Sequence, residues 1–218
     1  RGARVLGLCR SDASLEKVRS AGLEPLRADL LDPSSLLTLR QRPLDAVVVC
    51  QAPARGESSA AVYLEATRNL LQALRSSTSL SALPAKSVSP QNNIPRLVFI
   101  SSTSVYGPRH GGWVDADTPI DPAVLDEDAR TLLETERLVL ADTAEKRVEG
   151  MVLRLSGIYG PGRSRADALR SGRVKAEPSE AFTNRIHRDD AVAAIVRLLE
   201  KGAAGQVYLA TDDFPVTQ

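Results

Sequence analysis

Charge of one sign is the first thing this 218-residue sequence lacks. Its 28 basic and 27 acidic residues leave a formal net charge of +1. No clustered excess of Lys and Arg is present, which argues against a nucleic-acid surface or a polybasic membrane footprint. Cysteine is scarce as well. Cys9 and Cys50 both fall inside apolar strand-like runs, which argues against a disulfide scaffold and fits a reducing compartment better. Two dispersed histidines, His110 and His187, added to two dispersed cysteines do not make a zinc site. No apolar run approaches the ~18–20 residues that a membrane-spanning helix needs. The sequence opens on Arg1 rather than Met and enters almost directly into a strand, with no legible signal or transit segment. The compartment is therefore left open between cytoplasm and an organelle interior such as a plastid stroma.

What is present is the balance of an ordinary globular protein, 43% hydrophobic and 25% charged. Such a length can bury one sizeable core, with at most a small additional lobe. Short apolar runs at Ala3–Cys9, Ala46–Cys50, Arg96–Ile100 and Met151–Leu155 read as strands buried on both faces of a sheet. Glu24–Arg27 and Gln206–Ala210 read as two further strands. Between them, Ser11–Ala21, Ser59–Arg75, Leu125–Ala144 and Asp189–Glu200 carry helical spacing, and Asp32-Pro33 reads as the N-cap and first residue of another helix. Asp189 and Asp190 read as the cap and start of the last helix. Strands alternating with helices through short connections predict crossover units, and so an α/β fold with a mainly parallel, doubly wound sheet. The Ser-, Pro- and Asn-rich stretch 76–95 breaks the rhythm and reads as a flexible insertion or a partner-docking loop.

In an open parallel sheet, ligands bind beyond the carboxyl ends of the strands. Those ends carry Cys9-Arg10-Ser11, Ala28-Asp29-Leu30, Gln51-Ala52-Pro53, Ser101–Gly107 and Ser156–Arg163. Many of these residues are small or hydroxyl-bearing, which lets a ligand approach the backbone closely.

The string Phe99-Ile100-Ser101-Ser102-Thr103-Ser104-Val105-Tyr106-Gly107 resembles the active-site strand of the extended short-chain dehydrogenase/reductase family, the nucleotide-sugar epimerases and dehydratases. Leu153-Arg154-Leu155-Ser156-Gly157-Ile158-Tyr159-Gly160-Pro161-Gly162-Arg163 is similar to that family's Arg-Leu…Tyr-Gly-Pro-Gly motif. Asn184–Val192 resembles its Ile-His-x-x-Asp-x-Ala segment, and Ala28–Asp32 its Asp-Leu-x-Asp motif. Among subgroups, the active-site region looks most like the bacterial YeeZ-type dehydrogenase-like proteins.

The resemblance implies a single Rossmann-like domain over 1–218, with substrate-lobe elements within 156–218. It implies a dinucleotide cofactor, NADP or NAD, and a small-molecule substrate. Asp29 would then meet the adenine amino group, with turn or helix capping as its other reading. Ser11, Gln51 and Ala52 would line the dinucleotide, and Ser156, Gly157 and Ile158 would lie near the nicotinamide. Ser102 takes the catalytic Ser/Thr place, where a hydroxyl polarises the substrate oxygen. Arg10 stands where a guanidinium pairs with a ribose 2′-phosphate, and the acid expected near Cys9 for a free 2′-hydroxyl is missing, which leans toward NADP. Tyr106 and Tyr159 read either as pocket walls or as packing, and His187 as a residue that fixes a local turn. A homodimer through Ser59–Arg75 and Leu125–Ala144, or a larger protein assembly, stays open.

Two departures stand against the resemblance. The family's Gly-x-x-Gly-x-x-Gly phosphate turn does not occur in these residues, and Gly107, Gly111 and Gly112 do not rebuild it. It is expected upstream of Ala3, with a strand and helix needing roughly 25–30 residues. The family's Tyr-x-x-x-Lys pair is also missing, since Asp128 falls at the Tyr place and Leu132 at the Lys place. No other tyrosine is followed four residues later by lysine. Tyr106 and Asp128 are the candidates for a substitute acid. Otherwise the fold is kept as a non-catalytic structural or regulatory subunit.

Overall fold

The computed structural model describes residues 2–78, 94–164, 169–172 and 182–217. They form two compact units, Arg1–Leu44 with Ala52–Ile94, and Asp45–Gln51 with Pro95–Gln218. Of the insertion expected at 76–95, residues 79–93 lie outside the described residues.

In the first unit, β1 (Leu6–Cys9) pairs in parallel with β2 (Glu24–Arg27), and helix α1 (Asp12–Ser20) makes the crossover. Ser11 begins that helix because its Oγ accepts the Ser14 N–H at 3.3 Å, satisfying one of the donors a first turn leaves free. Asp12 in the first turn, and Lys17 and Arg19 in the last, match the ends of the helix dipole. Glu24 accepts from Arg42 at 2.7 Å and from Arg4 at 2.6 Å, which ties the approach to β1 onto β2.

The segment after β2 differs from the expectation. Asp32 does not cap a helix; its Oδ1 takes the Ser34 N–H at 3.0 Å in a local turn, and a 3-10 helix starts only at Ser35 and runs to Gln41. An aspartate that bonds two residues ahead competes with the helix it would otherwise start. The helical stretch predicted from Ser59 opens as a widened π-type segment, Ala60–Glu65, and continues as α2 (Ala66–Thr78). Its Leu70, Leu71 and Leu74 are buried, and Asn69 Nδ2 donates to the Leu30 carbonyl at 2.9 Å.

The second unit holds a four-stranded parallel sheet in the order β3-β4-β5-β9. Its strands are β3 (Ala46–Val49), β4 (Arg96–Ser102), β5 (Glu149–Leu155) and β9 (Val207–Ala210). Helices α3 (Glu127–Ala144) and α4 (Arg188–Lys201) cover its two faces. Alternation along β5 divides the work, as strand geometry requires. Met151, Leu153 and Leu155 pack with Ala191 and Leu198 of α4 and with Ile186. Gly150 and Arg154 face α3, and a Cβ on Gly150 would lie 2.8 Å from Val139 Cγ1, so only glycine lets that helix settle there.

Two short ribbons complete the unit: β6 (Gly157–Tyr159) parallel to β8 (Arg185–His187), and β7 (Phe182–Thr183) antiparallel to β10 (Val216–Thr217). Strands of two or three residues carry too few alternations to be read from sequence. Helix α4 is capped by His187, whose Nδ1 accepts the Asp189 N–H at 3.3 Å, and not by Asp189, which with Asp190 fills the first turn. At its far end, Arg96 Nη2 donates to the Leu198 carbonyl at 3.1 Å and to that of Gly202.

The N-terminal strands are less covered than their apolar runs predict. All four residues of β1 are half-buried, and Ala46 and Val48 of β3 are exposed. Among the described residues β1 pairs only with β2, and β3 only with β4. A strand with one hydrogen-bonded neighbour keeps an open edge, which is why these runs are not shielded on every side. No helix among the described residues is long and apolar enough to cross a membrane.

Candidate functional site

Each unit places its own subset of the expected residues at strand ends. In the first, Arg10 follows β1 and Asp29 follows β2. Ser35 pins the Asp29 backbone, its Oγ accepting the Asp29 N–H and donating to the Asp29 carbonyl, both at 2.9 Å. Asp29 Oδ1 accepts the Leu31 N–H at 2.9 Å. One carboxylate oxygen therefore holds the turn, while the other has the lone pairs to accept an amino group. Ser11 is occupied as the α1 cap and also donates to Ser14 Oγ at 3.0 Å. Ala52 is exposed in the loop after β3.

Arg10 has a partner that lies far off in sequence. Its Nη2 donates to Glu57 Oε1, and the second Glu57 oxygen accepts the Ala54 N–H at 2.9 Å. That backbone donor, then Arg10, holds the Glu57 carboxyl below its ordinary range; Glu57 in turn raises the Arg10 guanidinium further into its charged form. An acid absent beside Cys9 in sequence is thus supplied by the tertiary fold, at the one cation proposed for a 2′-phosphate.

In the second unit Ser102 ends β4 and caps the 3-10 turn Thr103–Tyr106, its Oγ accepting the Ser104 N–H at 3.1 Å. The contact uses a lone pair and leaves the hydroxyl proton to donate. Beneath it lies a network of buried polar groups. Ser101 Oγ donates to Glu136 Oε1 at 2.6 Å, and Arg154 grips both Glu136 oxygens, Nε at 3.0 Å and Nη2 at 2.7 Å. The Arg154 and Glu136 side chains are 5% and 2% exposed, so this bidentate pair is out of water. Burial pushes Arg154 down, but the Glu136 hydrogen bonds and charge, joined by Tyr106, outweigh it, and the guanidinium stays firmly charged.

Tyr106 is drawn into the same network. Its hydroxyl accepts from Arg154 Nη1 at 3.0 Å and donates to the Asp115 carbonyl at 2.6 Å, while the Arg154 guanidinium carbon stands 4.9 Å from the ring centroid. The residue is 2% exposed. Its proton is committed to a backbone carbonyl in the interior, and the geometry favours the packing reading of Tyr106 over the acid. Asp128 stands exposed in the first turn of α3, one turn before Leu132, which is buried in the core.

The remaining expected residues cluster after β3 and β5. Gln51 is half-buried just beyond β3. Ser156 donates its backbone N–H to the Ala210 carbonyl at 3.2 Å, yet its Oγ is buried without a hydrogen-bond partner among the described residues. Gly157 pairs with Arg185 and Ile158 with Ile186 across the β6–β8 ribbon. Tyr159 meets His187 edge to face, with ring centroids 5.3 Å apart.

Sequence reading passed over Glu57, Glu136 and Arg154, which the fold brings to Arg10, Ser101 and Tyr106. A signal existed for one of them: a charged Arg154 inside the apolar run Met151–Leu155 needs a buried partner. Nothing local marks Glu57.

Residues 1–210 match the model of the NAD dependent epimerase/dehydratase family. Protein YeeZ of Escherichia coli K12 is 30% identical over 213 residues, which span 95% of this chain and 69% of that protein. A solved structure described as a putative NAD-dependent epimerase/dehydratase from Methylobacillus flagellatus superposes with a TM-score of 0.68 at 28% identity, over 98% of this chain and 76% of that one. The dTDP-glucose 4,6-dehydratase of Bacillus anthracis, solved in complex with NAD, shares the fold at a TM-score of 0.75 and 17% identity, over 98% and 68% of the two chains. With strand ends that carry Asp29, Ser102 and the Ser156–Ile158 turn, these likenesses make the chain a member of the NAD-dependent epimerase/dehydratase family, a nucleotide-binding, dehydrogenase/epimerase-like protein with a Rossmann-like fold.

Proposed function

We propose that the chain binds NAD(P) and retains the substrate-polarising hydroxyl of its family while having given up the usual Tyr-Lys proton relay. One observation carries the first half. Ser102 is held by the Ser104 N–H in an orientation that spares its proton for a substrate oxygen. Asp29 fits an adenine amino group with its second oxygen, and the Ser156 Oγ, without a hydrogen-bond partner among the described residues, fits a ligand at the turn after β5. Bound NAD(P) supplies a hydride acceptor or donor. Arg10, itself exposed, would take a 2′-phosphate only by exchanging its half-buried Glu57 partner, so the lean toward NADP rests on how readily that pair opens.

The loss of the relay is supported by Leu132, an apolar side chain that cannot lower the pKa of a neighbouring acid. Tyr106 is no substitute, its proton being spent on Asp115. Asp128 is the remaining candidate acid on the chain. The same observations favour a second reading, a non-catalytic structural or regulatory subunit that keeps the fold as a scaffold.

Equilibrium binding of NADPH and NADH to the natural full-length protein separates the two readings. Binding at low-micromolar concentration supports a working cofactor site, whereas none of either up to ~1 mM (about −4 kcal/mol) leaves the scaffold reading. Ser102→Ala should leave dinucleotide affinity nearly unchanged and lower any turnover by about 10²–10³-fold. A large loss of affinity in that variant would remove Ser102 from the substrate side.

A further inference from the structure

The chain's one tryptophan, Trp113, is 91% exposed. It belongs to the segment 107–118, which leaves the 3-10 turn capped by Ser102 and runs on toward α3. An indole carries more apolar surface than any other side chain and is ordinarily well buried. Leaving it in water, on the segment that follows a strand end of the kind where ligands bind, is a costly arrangement.

Both feet of this segment are fixed. Arg109 clips them together, its Nε donating to the Tyr106 carbonyl at 2.8 Å and its Nη2 to the Pro119 carbonyl at 2.6 Å. The buried Tyr106 hydroxyl donates to the Asp115 carbonyl at 2.6 Å, and Thr118 Oγ1 accepts the Asp115 N–H at 2.8 Å. At the near foot, the Gly107 N–H donates to the Ser104 carbonyl at 3.0 Å, and the Ser104 N–H donates to Ser102 Oγ at 3.1 Å.

The tip is held differently. Among the described residues, 110–114 are tied down by a single hydrogen bond, from the Gly112 N–H to the Arg109 carbonyl at 2.8 Å. His110 at φ 49 and Gly111 at φ 84 both stand in the left-handed region, a strained conformation for the histidine. A Cβ on Gly111 would meet nothing within 4 Å, so no packing fixes that bend. Trp113 stands two residues before the anchored Asp115, so about 7 Å of chain at most separates it from that anchor. Rotation at 110–112 therefore swings the indole while its feet and the Ser102 turn stay in place.

We propose that Trp113 is a ligand-contacting residue on a hinged strap, which closes the indole onto the nicotinamide ring of a bound dinucleotide. The proposal rests on the dinucleotide-binding reading above. Hydride passes between that ring and the carbon whose oxygen Ser102 polarises, so the ring must come beside the turn from which the strap springs. Closure removes the indole from water and shields the ring. It also discriminates between oxidation states. Oxidised nicotinamide is a planar cation and the reduced ring is neutral, while the indole face is the negative side of an aromatic quadrupole.

The test titrates NADP+, NAD+ and NADPH into the natural full-length protein by calorimetry. Emission and its quenching by acrylamide are followed in parallel, with the signal of Trp113 taken as the difference from Trp113→Phe. With an oxidised dinucleotide bound, the emission should move to shorter wavelength and acrylamide should quench it less. Trp113→Ala should weaken the oxidised form by about three- to tenfold and NADPH by less than about twofold, and Trp113→Phe should restore part of the loss. The urea midpoint of Trp113→Ala should match wild type, since so exposed a side chain contributes little to folding. Heat of binding without any change in emission or quenching overturns the strap and leaves the dinucleotide reading intact. So does equal affinity of wild type and Trp113→Ala for the oxidised form. Protection from acrylamide that needs no dinucleotide and grows with protein concentration means that a second copy covers Trp113, and it also overturns the proposal. No heat with any of the three fails the dinucleotide reading, and the strap falls with it.

Discussion

Glu136→Gln offers the sharpest test of how the region beneath Ser102 is built. The substitution keeps volume and one carbonyl oxygen but removes the charge that faces Arg154. In the native protein Glu136 receives three hydrogen bonds, two from Arg154 at 3.0 and 2.7 Å and one from Ser101 at 2.6 Å, all away from water. In the variant the amide NH₂ must face an Arg154 N–H, since both carboxylate oxygens accept from that guanidinium, so at least one buried donor loses its acceptor and the guanidinium loses its counter-charge. Removing one partner of a buried pair costs about 3–5 kcal/mol, because the other charge is left uncompensated. For a chain of this length, with ~2–4 °C of Tm per kcal/mol, the melting temperature should fall by about 6–20 °C. Urea denaturation followed by far-UV circular dichroism measures the loss directly. The double replacement Glu136→Met with Arg154→Met should be far milder than either single change, since apolar residues of similar volume leave no charge stranded. A loss below about 1 kcal/mol for Glu136→Gln, the worth of an exposed pair, would refute the reasoning.

Two further outcomes concern the first unit and the acid limit. Arg10→Ala should weaken NADPH by about tenfold and NADH by less than about twofold, and Glu57→Gln should shift the ratio toward NADPH by freeing the guanidinium; equal effects on both cofactors would leave Arg10 without a 2′-phosphate role. Glu24 is depressed by Arg42 and then Arg4, Asp32 by Ser34, Glu57 by the Ala54 N–H and then Arg10, and Asp115 by Thr118. Each binds its proton more weakly folded than unfolded, so its stabilisation is complete above the ordinary carboxylate range, near pH 4, and disappears as pH falls through the lower folded value. Stability measured from pH 6 to pH 2 should drop only in that acid window, and a flat profile there would count against these contacts.

The order of strands and helices was legible because it is written in short-range pattern. Apolar runs such as Arg96–Ile100 and Met151–Leu155 must be shielded wherever they go, and the helix read from Ser11 begins where the Ser11 Oγ meets the Ser14 N–H three residues ahead. Legibility failed where two local preferences compete, as at Asp32, whose bond to Ser34 displaces the helix start to Ser35. It failed again at β6, β7, β8 and β10, too short for any period to register.

The motifs around Ser102, Asp29 and Ser156–Ile158 marked the candidate site in the sequence itself, because a strand end is a place that chain order can specify. The partners of those residues were another matter. Glu57 reaches Arg10 across 47 positions, Glu136 meets Ser101 across 35, and Arg185 lies over Gly157 through the pairing of β6 with β8. The sequence alone determined an α/β chain with mainly parallel strands and the strand ends on which the expected residues stand. Which cation is neutralised and which hydroxyl is spent was decided only when distant segments came together, since each depends on contacts that no local pattern encodes.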